Sequence, residues 1–288
     1  MSYRIAIVDS GSTKGDWILW GPDVEEVQLS TMGFNPYLVD FDLYRKDLWK
    51  NPIIQDQSKN IQQLFFFAAG IGNPAKIVQS EKLLQSMFPK ANLVVGSDLI
   101  AAAWACAGNE PALLGILGTG SNACVYDGKQ ITQLTTSLGW ILGDEGSGSH
   151  LGKQLLKHYT YGNLPSNLQQ LFFHQYGLDL PGILQLLYHT ERPNTRIAQY
   201  TEFLYQHRSE PFVHDLLISS FKEFVENHLE KFSQFGSLPI HFIGSIAFHF
   251  KEELREALGY FNVQPYRIIQ KPIQLLKQFI IANKYDNA

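Results

Sequence analysis

The chain of 288 residues has few cysteines, no long apolar run and no excess of basic residues. Its two cysteines, Cys106 and Cys124, are too few for a disulfide framework or a cysteine-based metal site, which favours a reducing compartment. The most apolar stretch, 64–72, is too short to cross a bilayer, and the N-terminal residues lack the apolar core of a secretory signal. The net charge of −4 argues against nucleic acid as a partner. We therefore expect a cytoplasmic protein with no membrane or nucleic-acid partner.

The standard signatures of nucleotide and zinc binding are also missing. The nearest approach to the P-loop motif GxxxxGK[ST] precedes Gly152-Lys153, but Ser147 stands where the motif requires glycine. The dinucleotide motif GxGxxG is not completed after Gly118 or after Gly146. The nine histidines show no spacing typical of zinc ligands.

Buried-strand patterns and helical patterns alternate along the chain, which indicates the α/β class. The middle of the chain, from His150 to Phe235, is predicted to be mostly helical, with an apolar face that packs into the core. The predicted strands are 4–9, 16–20, 64–69, 92–95 and 239–243, and the clearest predicted helices are 80–88, 99–107, 151–159 and 247–258.

The opening strand–turn–strand pattern returns at Ala112. The turn Ser10–Lys14 then aligns with Gly118–Asn122, which indicates a duplicated domain. In this alignment Asp9 corresponds to Leu117, so only the first copy carries a carboxylate at the strand end. We therefore expect one half of the protein to manage a metal ion and the other half not to.

The two aligned turns are rich in glycine and hydroxyl residues. Small residues leave backbone N–H groups uncovered and hydroxyls add donors, so such turns can bind phosphate oxygens. Ordinary hairpin turns have a similar composition, but two in register favour the phosphate interpretation. Lys14 adds a mobile positive charge suited to a polyphosphate. The candidate phosphate-binding residues are Ser10, Gly11, Ser12, Thr13, Lys14, Gly118, Thr119, Gly120 and Ser121.

Three carboxylates are candidates for chemistry. Asp9 ends a predicted buried strand and could hold Mg²⁺ against nucleotide phosphates, although an Asp also starts turns. Asp98 follows the strand 92–95 and could accept a proton from an attacking hydroxyl, although an Asp is also a common helix N-cap. Asp144 lies in the acidic, glycine-rich segment Gly143–Ser149, which suits the recognition of sugar hydroxyls or forms a flexible acidic helix start. Asn35 could contact a polar substrate or form an Asn-Pro turn.

Five segments, taken in order, carry a resemblance to a known family: IVDSGSTKGDW, SDLIAAAWA, LGTGSNA, GWILGDEGSGSHLGK and HFIGSIAFHF. They resemble the BadF/BadG/BcrA/BcrD-type ATPase family, most closely its N-acetylglucosamine kinase branch, as far as about residue 260. The resemblance implies the fold of the actin, sugar-kinase and chaperone ATPases: two ribonuclease-H-like α/β domains with an interdomain active-site cleft. The expected domains are 1–107 and 108–269, with a C-terminal helix in 270–288 joining the first.

The resemblance also implies roles for individual residues. Asp9 lies near Mg²⁺, and Asp98 is both the catalytic base and a sugar contact. The turns Ser10–Lys14 and Gly118–Ser121 bind the ATP phosphates, and Gly244-Ser245 binds the adenosine. The remaining sugar contacts are Asn35, Thr119, Asn122 and Asp144.

This chain departs from the family pattern in two places. Ser10 and Ser12 interrupt the consecutive glycines of the usual first motif, and Pro272–Leu276 resembles a family helix but lacks its glycine. The same broad family contains activators that need a cysteine-bound iron–sulfur cluster, for which two cysteines are poorly suited.

The expected function is an ATP-dependent sugar kinase that uses Mg²⁺ and phosphorylates N-acetylglucosamine at the 6-hydroxyl. Two alternatives stay open: a kinase for glucosamine or another amino sugar, and an ATP-dependent conformational switch that activates a partner protein. The expected partner is a small-molecule sugar. The aromatic content of 13% leaves apolar surface for a homodimer.

Overall fold

A computed structural model of the protein describes residues 3–285, and the chain divides into two compact units. Unit 1 contains the described residues up to Glu110, the segment Gly128–Gln130 and the residues from Lys271 onward. Unit 2 contains Pro111–Asp127 and Ile131–Gln270. Each unit is built on a five-stranded mixed sheet with helices against it, so the predicted α/β class is confirmed.

The strands are β1 (Ile5–Ser10), β2 (Lys14–Gly21), β3 (Val24–Met32), β4 (Gln63–Ala68), β5 (Asn92–Ser97), β6 (Pro111–Leu117), β7 (Ser121–Asp127), β8 (Ile131–Leu134), β9 (Ile240–Ile243) and β10 (Pro265–Ile269). The helices are α1 (Phe41–Leu48), α2 (Pro52–Gln57), α3 (Pro74–Met87), α4 (Asp98–Cys106), α5 (Gly139–Leu142), α6 (Gly148–Thr160), α7 (Ser166–Tyr176), α8 (Leu180–His189), α9 (Pro193–Ala198), α10 (Thr201–Gln206), α11 (Pro211–Asn227), α12 (Ser245–His249), α13 (Lys251–Gly259) and α14 (Ile273–Asn283). The segment Leu229–Lys231 forms a 3₁₀ helix.

The sheet of unit 1 has the order β3-β2-β1-β4-β5, with β1 at its centre. β1 pairs antiparallel with β2 and parallel with β4, and Ile5–Val8 are fully buried, as expected of a strand covered on both faces. The C-terminal helix α14 packs on α4, where the rings of Trp104 and Phe279 lie 5.3 Å apart.

Some predicted elements have different bounds in the structure. β3 was not predicted because five of its nine residues are polar and none is buried; it forms because it pairs with β2 along the edge of the sheet. The predicted helix 247–258 is two helices, α12 and α13, separated at the buried Phe250, whose ψ of 34° leaves the helical region. The helical middle of unit 2 is confirmed, and the apolar face of α11 lies in the core.

The sheet of unit 2 has the order β8-β7-β6-β9-β10, which repeats the order in unit 1. Residues 5–10 of β1 and 112–117 of β6 have the same burial pattern, with one partly exposed residue just before the last. The last hairpin pair is Ser10–Gly15 in unit 1 and Leu117–Ser121 in unit 2, so the second turn is one residue shorter. The duplication is therefore present, but Asp9 corresponds to Ile116, and the predicted alignment with Leu117 is wrong by one residue.

Within residues 3–285, every helix is too short or too polar to cross a lipid bilayer.

Candidate active site

The first glycine-rich turn of unit 1 is tightly bonded within itself and to the segment that follows β3. The Gly11 N–H donates to the Lys14 carbonyl at 3.0 Å, and the Gly33 N–H donates to the Thr13 carbonyl at 3.0 Å. Ser10 is fully buried, and its hydroxyl oxygen accepts a hydrogen bond from the Phe34 N–H at 2.8 Å. Ser10 and the Gly11 amide therefore shape the turn, which leaves Ser12, Thr13 and Lys14 as its outer residues.

Asn35 lies against this turn. Its Nδ2 donates to the Ser12 hydroxyl at 3.1 Å, while its Oδ1 accepts from the Tyr37 N–H at 3.0 Å. The interpretation of Asn35 as the start of an Asn-Pro turn is therefore confirmed, while its contact with a substrate stays a prediction.

Three carboxylates of unit 1 lie around the carboxyl end of β1. Asp9 and Asp16 are direct partners in the β1–β2 hairpin, and directly paired residues project from the same face of a sheet. Asp98 is the first residue of α4, where its carboxylate accepts the Leu99 N–H at 3.0 Å. Ser97 occupies the N-cap position, so the alternative interpretation of Asp98 as a helix N-cap is wrong.

Two of these carboxylates, Asp9 and Asp98, are weaker acids than usual. Burial is the largest cause for Asp9 and acts together with the negative charges of Asp98 and Asp16 to raise its pKa to about 7. Burial also raises the pKa of Asp98 to about 6, against two backbone hydrogen bonds that favour the charged form. A carboxylate with a pKa near 6 can accept a proton at neutral pH and release it again, which is what a general base requires.

Two lysines surround Asp16. Lys14 Nζ lies 2.9 Å from Asp16 Oδ1, and Lys271 Nζ lies 3.9 Å from Asp16 Oδ2. The hydrogen bond to Asp16 raises the pKa of Lys14, so this side chain stays cationic. Half of the Lys14 side chain is exposed, and a polyphosphate could therefore attract it away from Asp16.

The carboxylates of unit 1 fit a magnesium ion held mainly by substrate phosphates. Within residues 3–285 no three His, Cys, Asp or Glu side chains form a ready-made metal cluster. Mg²⁺ in phosphoryl-transfer sites uses one or two carboxylates, with waters and phosphate oxygens as its other ligands. Asp9 supplies such a carboxylate, and a cation would relieve the repulsion that raises its pKa.

The second glycine-rich turn, in unit 2, is joined to the start of α6. The Gly148 N–H donates to the Gly118 carbonyl at 2.8 Å, and the Ser149 N–H donates to the Thr119 carbonyl at 3.0 Å. The Ser121 hydroxyl is buried and has no hydrogen-bond partner within the described residues. A buried hydroxyl without a partner costs free energy unless a ligand satisfies it, so Ser121 fits a phosphate-binding role.

Asp144 lies directly beside this turn. Its backbone has a left-handed φ of 59°, and its side chain is only 9% exposed. A Cβ on Gly120 would lie 2.8 Å from Asp144 Oδ2, so the carboxylate requires glycine at that position. Burial raises the pKa of Asp144 to about 6, while the Ser121 N–H and the charge of Lys153 act in the opposite direction. Lys153 in turn donates to the carbonyls of Trp140 and Ile141 at the end of α5.

Gly244 and Ser245 lie at the end of β9. Gly244 has a φ of 118°, and a Cβ there would overlap the Leu117 carbonyl at the end of β6. Only glycine therefore allows the β9–α12 connection to lie against the second turn. Ser245 is exposed at the first position of α12. Asn122 is partly buried on β7, and its Oδ1 accepts its neighbour's amide, Ala123 N–H, at 2.9 Å.

The sequence interpretation missed Asp16 and Lys271 in unit 1 and a buried histidine, His228, in unit 2. Asp16 could have been found, because a hairpin closed by the turn 11–14 pairs it with Asp9. Lys271 and His228 are distant in the chain from the residues they approach, and only the folded structure reveals them.

Comparisons with solved structures add to this geometry. A putative N-acetylglucosamine kinase from Porphyromonas gingivalis is 33% identical, with a TM-score of 0.89, and the match covers 98% of this chain and 100% of that one. A putative N-acetylglucosamine kinase from Chromobacterium violaceum is 16% identical, with a TM-score of 0.70 and coverage of 97% and 99%. A putative N-acetylmannosamine kinase from Listeria monocytogenes is 13% identical, with a TM-score of 0.52 and coverage of 98% and 100%.

These comparisons confirm the predicted fold class of actin-like ATPases. The last two structures share too few identical residues with this chain to show more than the fold. Neither a protein-family model nor a curated protein sequence matches the chain.

Proposed function

The chain belongs to the family of the putative N-acetylglucosamine kinase from Porphyromonas gingivalis, and from this premise we propose that it is an ATP-dependent kinase of N-acetylglucosamine. The observation that carries the proposal is the position of Asp98 at the end of β5. Its carboxylate has a pKa of about 6, and it lies close enough to Asp9 to raise the pKa of Asp9. A sugar kinase needs such a base beside a magnesium-binding carboxylate. We also propose that the enzyme is cytoplasmic and belongs to the BadF/BadG/BcrA/BcrD-type ATPases.

In this proposal unit 1 supplies the charged groups. Asp98 accepts the proton of the sugar 6-hydroxyl, and the oxygen attacks the γ-phosphorus of ATP. The bond from that phosphorus to the β–γ bridging oxygen breaks, ADP leaves, and Asp98 returns its proton to solvent. Mg²⁺ held near Asp9 neutralises phosphate charge when it is bound. Lys14 and the hydroxyls of Ser12 and Thr13 bind phosphate oxygens.

Unit 2 supplies the neutral donors and most of the sugar contacts. Ser121 and the turn Gly118–Gly120 bind phosphate oxygens, and Gly244-Ser245 borders the adenosine. Asp144, Asn122 and Thr119 bind sugar hydroxyls or the acetamido group, and Asn35 of unit 1 adds a further contact. We propose that units 1 and 2 are the two ribonuclease-H-like domains expected at 1–107 and 108–269.

The test is ADP release from Mg-ATP across N-acetylglucosamine, glucosamine, N-acetylmannosamine, N-acetylmuramic acid and glucose. We expect N-acetylglucosamine to stimulate ADP release well above the background ATPase and above the other sugars. Preference for another amino sugar would keep the kinase and replace its substrate. If no sugar raises ADP release, the kinase proposal fails, and an ATP-dependent switch acting on a partner protein takes its place.

A further inference from the structure

A buried histidine joins two of the segments that carry proposed sugar contacts. His228 lies at the C-terminal end of α11 and is 4% exposed. Its Nε2 lies 3.1 Å from Glu145 Oε2, and its Nδ1 lies 3.1 Å from Thr135 Oγ1. The ring packs against Phe224, with the two ring centroids 5.0 Å apart, so its position is fixed by the core.

Glu145, which contacts His228 Nε2, directly follows Asp144 in the sequence. The two residues are adjacent and Asp144 has a left-handed backbone, so a contact that holds Glu145 also restrains the backbone of Asp144. An ionised carboxylate only accepts hydrogen bonds, so the partners assign the Nε2 proton of His228 to the bond with Glu145. His228 therefore holds the loop from which Asp144 projects.

Thr135, which contacts His228 Nδ1, is hydrogen-bonded to Ala123 of β7, the neighbour of Asn122. The Thr135 N–H donates to the Ala123 carbonyl at 3.1 Å, and the Thr135 hydroxyl lies 3.2 Å from the same carbonyl. That hydroxyl lies 3.5 Å from Asn122 Oδ1, but its single proton faces the acceptor His228 Nδ1, so the link from Thr135 to Asn122 runs through the β7 backbone. Thr135 thus fixes β7 at the point where Asn122 projects.

Hydrogen bonds between buried side chains are unexpected at the C-terminal end of α11. The buried face of α11 is otherwise almost entirely apolar, with Ser220 as the one buried polar residue among its described positions. Buried polar pairs of this kind are seldom worth more to stability than well-packed apolar residues, which favours a role in positioning.

We propose that His228 is a positioning residue that, through Glu145 and Thr135, fixes Asp144 relative to Asn122 and so sets the affinity for the sugar acceptor. This inference rests on the proposed function. It assigns His228 no contact with the substrate. It predicts that changing His228 alters the affinity for the sugar and not the affinity for ATP, because the contacts of His228 end at the proposed sugar-binding side chains.

Three variants of His228 test the proposal. His228→Leu removes both hydrogen bonds, His228→Gln keeps a donor near the Nε2 position, and His228→Asn keeps a polar group near the Nδ1 position. The matched control is His214→Gln, because His214 lies on the same helix and pairs with Glu256 at 3.0 Å but is exposed. The measurements are KM for N-acetylglucosamine, KM for ATP, kcat and the unfolding temperature.

We expect His228→Leu to raise the KM for the sugar about tenfold or more, since it leaves the partly buried carboxylate of Glu145 without its partner. The KM for ATP should stay within about twofold, and His228→Gln should recover most of the lost affinity. His214→Gln should change none of the kinetic constants. Should His228→Leu fail to fold, Glu145→Gln keeps the shape of the chain and is expected to raise the sugar KM as well.

The outcomes separate this inference from the proposed function. If the wild-type protein phosphorylates the sugar and the His228 variants lower only the unfolding temperature, the positioning role is wrong and the kinase proposal stands. Equal changes in the KM for sugar and for ATP would also overturn it. If the wild-type protein phosphorylates no sugar, the proposed function fails, and this inference fails with it.

Discussion

The sheets of the two units have the same strand order. At three corresponding positions, however, unit 1 carries carboxylates and unit 2 carries uncharged residues. In unit 1, Asp9 and Asp16 are paired across the hairpin. In unit 2 the matching pair is Ile116 and Asn122. The residue after the fifth strand along the sheet is Asp98 in unit 1 and Gln270 in unit 2. At these three corresponding positions, only unit 1 carries carboxylates.

The difference shows what each copy is built to bind. Asp9 and Asp98 of unit 1 have raised pKa values, so their charged forms are destabilised where they stand. Such a pair is unfavourable for folding and typical of functional sites. The corresponding part of unit 2 has a turn of glycines and a buried Ser121 hydroxyl with no hydrogen-bond partner among residues 3–285, which suits anionic oxygens without a metal.

Asp98→Asn should have the largest effect. Loss of a general base lowers kcat by about 10²–10⁴-fold, while the Kd for the sugar should change little because the amide keeps the shape of the side chain. Steady-state kinetics and calorimetric binding of the sugar measure the two effects. Gln270→Asn, at the corresponding position of unit 2, is the control and should leave kcat within about twofold. A kcat for Asp98→Asn within tenfold of the wild type would remove Asp98 as the base.

Asp9→Asn should have the next largest effect. Weakening one carboxylate ligand should raise the Mg²⁺ concentration required for half-maximal activity by about 10–100-fold. Titrations of activity with Mg²⁺ at saturating ATP and sugar measure it. The control Ile116→Val changes the corresponding position of unit 2 and should leave the Mg²⁺ requirement unaltered; an equal shift in both variants would contradict the asymmetry.

The pH profile should reveal one carboxylate from each unit. Asp98 and Asp144 both have pKa values raised to about 6, and both must be ionised to act. At saturating Mg²⁺, kcat/KM for the sugar should be constant above pH 7 and fall below pH 6 by up to about 100-fold per pH unit. Asp144→Asn should lower the overall rate and reduce this slope to about tenfold per unit. An unchanged slope would mean that Asp144 does not titrate with the reaction.

The smallest effect concerns stability. The pKa of Asp9 is about 7 in the folded protein, above its ordinary value of 3.8, so the folded protein binds a proton more tightly, and stability falls as pH rises between these values. Asp9→Asn removes this penalty and should raise the unfolding temperature by about 2–6 °C at pH 8. At pH 4 to 5 Asp9 is protonated and the gain should be much smaller. A gain independent of pH would show that the charge of Asp9 is not the cause.

Much of the fold follows from local patterns. The buried runs of β1 and β4, the helix start at Asp98 and the apolar face of α11 are short-range features, and the sequence predicts them because burial repeats with the period of each element. β3 and β10 escaped prediction because they are edge strands without a buried residue, and they form through pairing with a neighbour.

The candidate site could be predicted only in part. Asp9, Asp98 and Asp144 stand beside glycines or at element ends and are recognisable from the sequence. The partners that adjust them are not: Lys271 reaches Asp16 from the far end of the chain, and His228 reaches Glu145 across 83 positions. The sequence alignment of the two hairpins was also wrong by one residue, because the second turn is one residue shorter than the first.

The central claim is that Asp98 of unit 1 activates a sugar hydroxyl toward ATP. It is tested most directly by ³¹P NMR of the wild type and of Asp98→Asn, each incubated with Mg-ATP and N-acetylglucosamine. We expect a sugar phosphomonoester, coupled to the C6 protons, to grow in step with ADP in the wild type and to be nearly absent in the variant. Release of ADP with inorganic phosphate alone, or equal sugar phosphate from both proteins, would contradict the account.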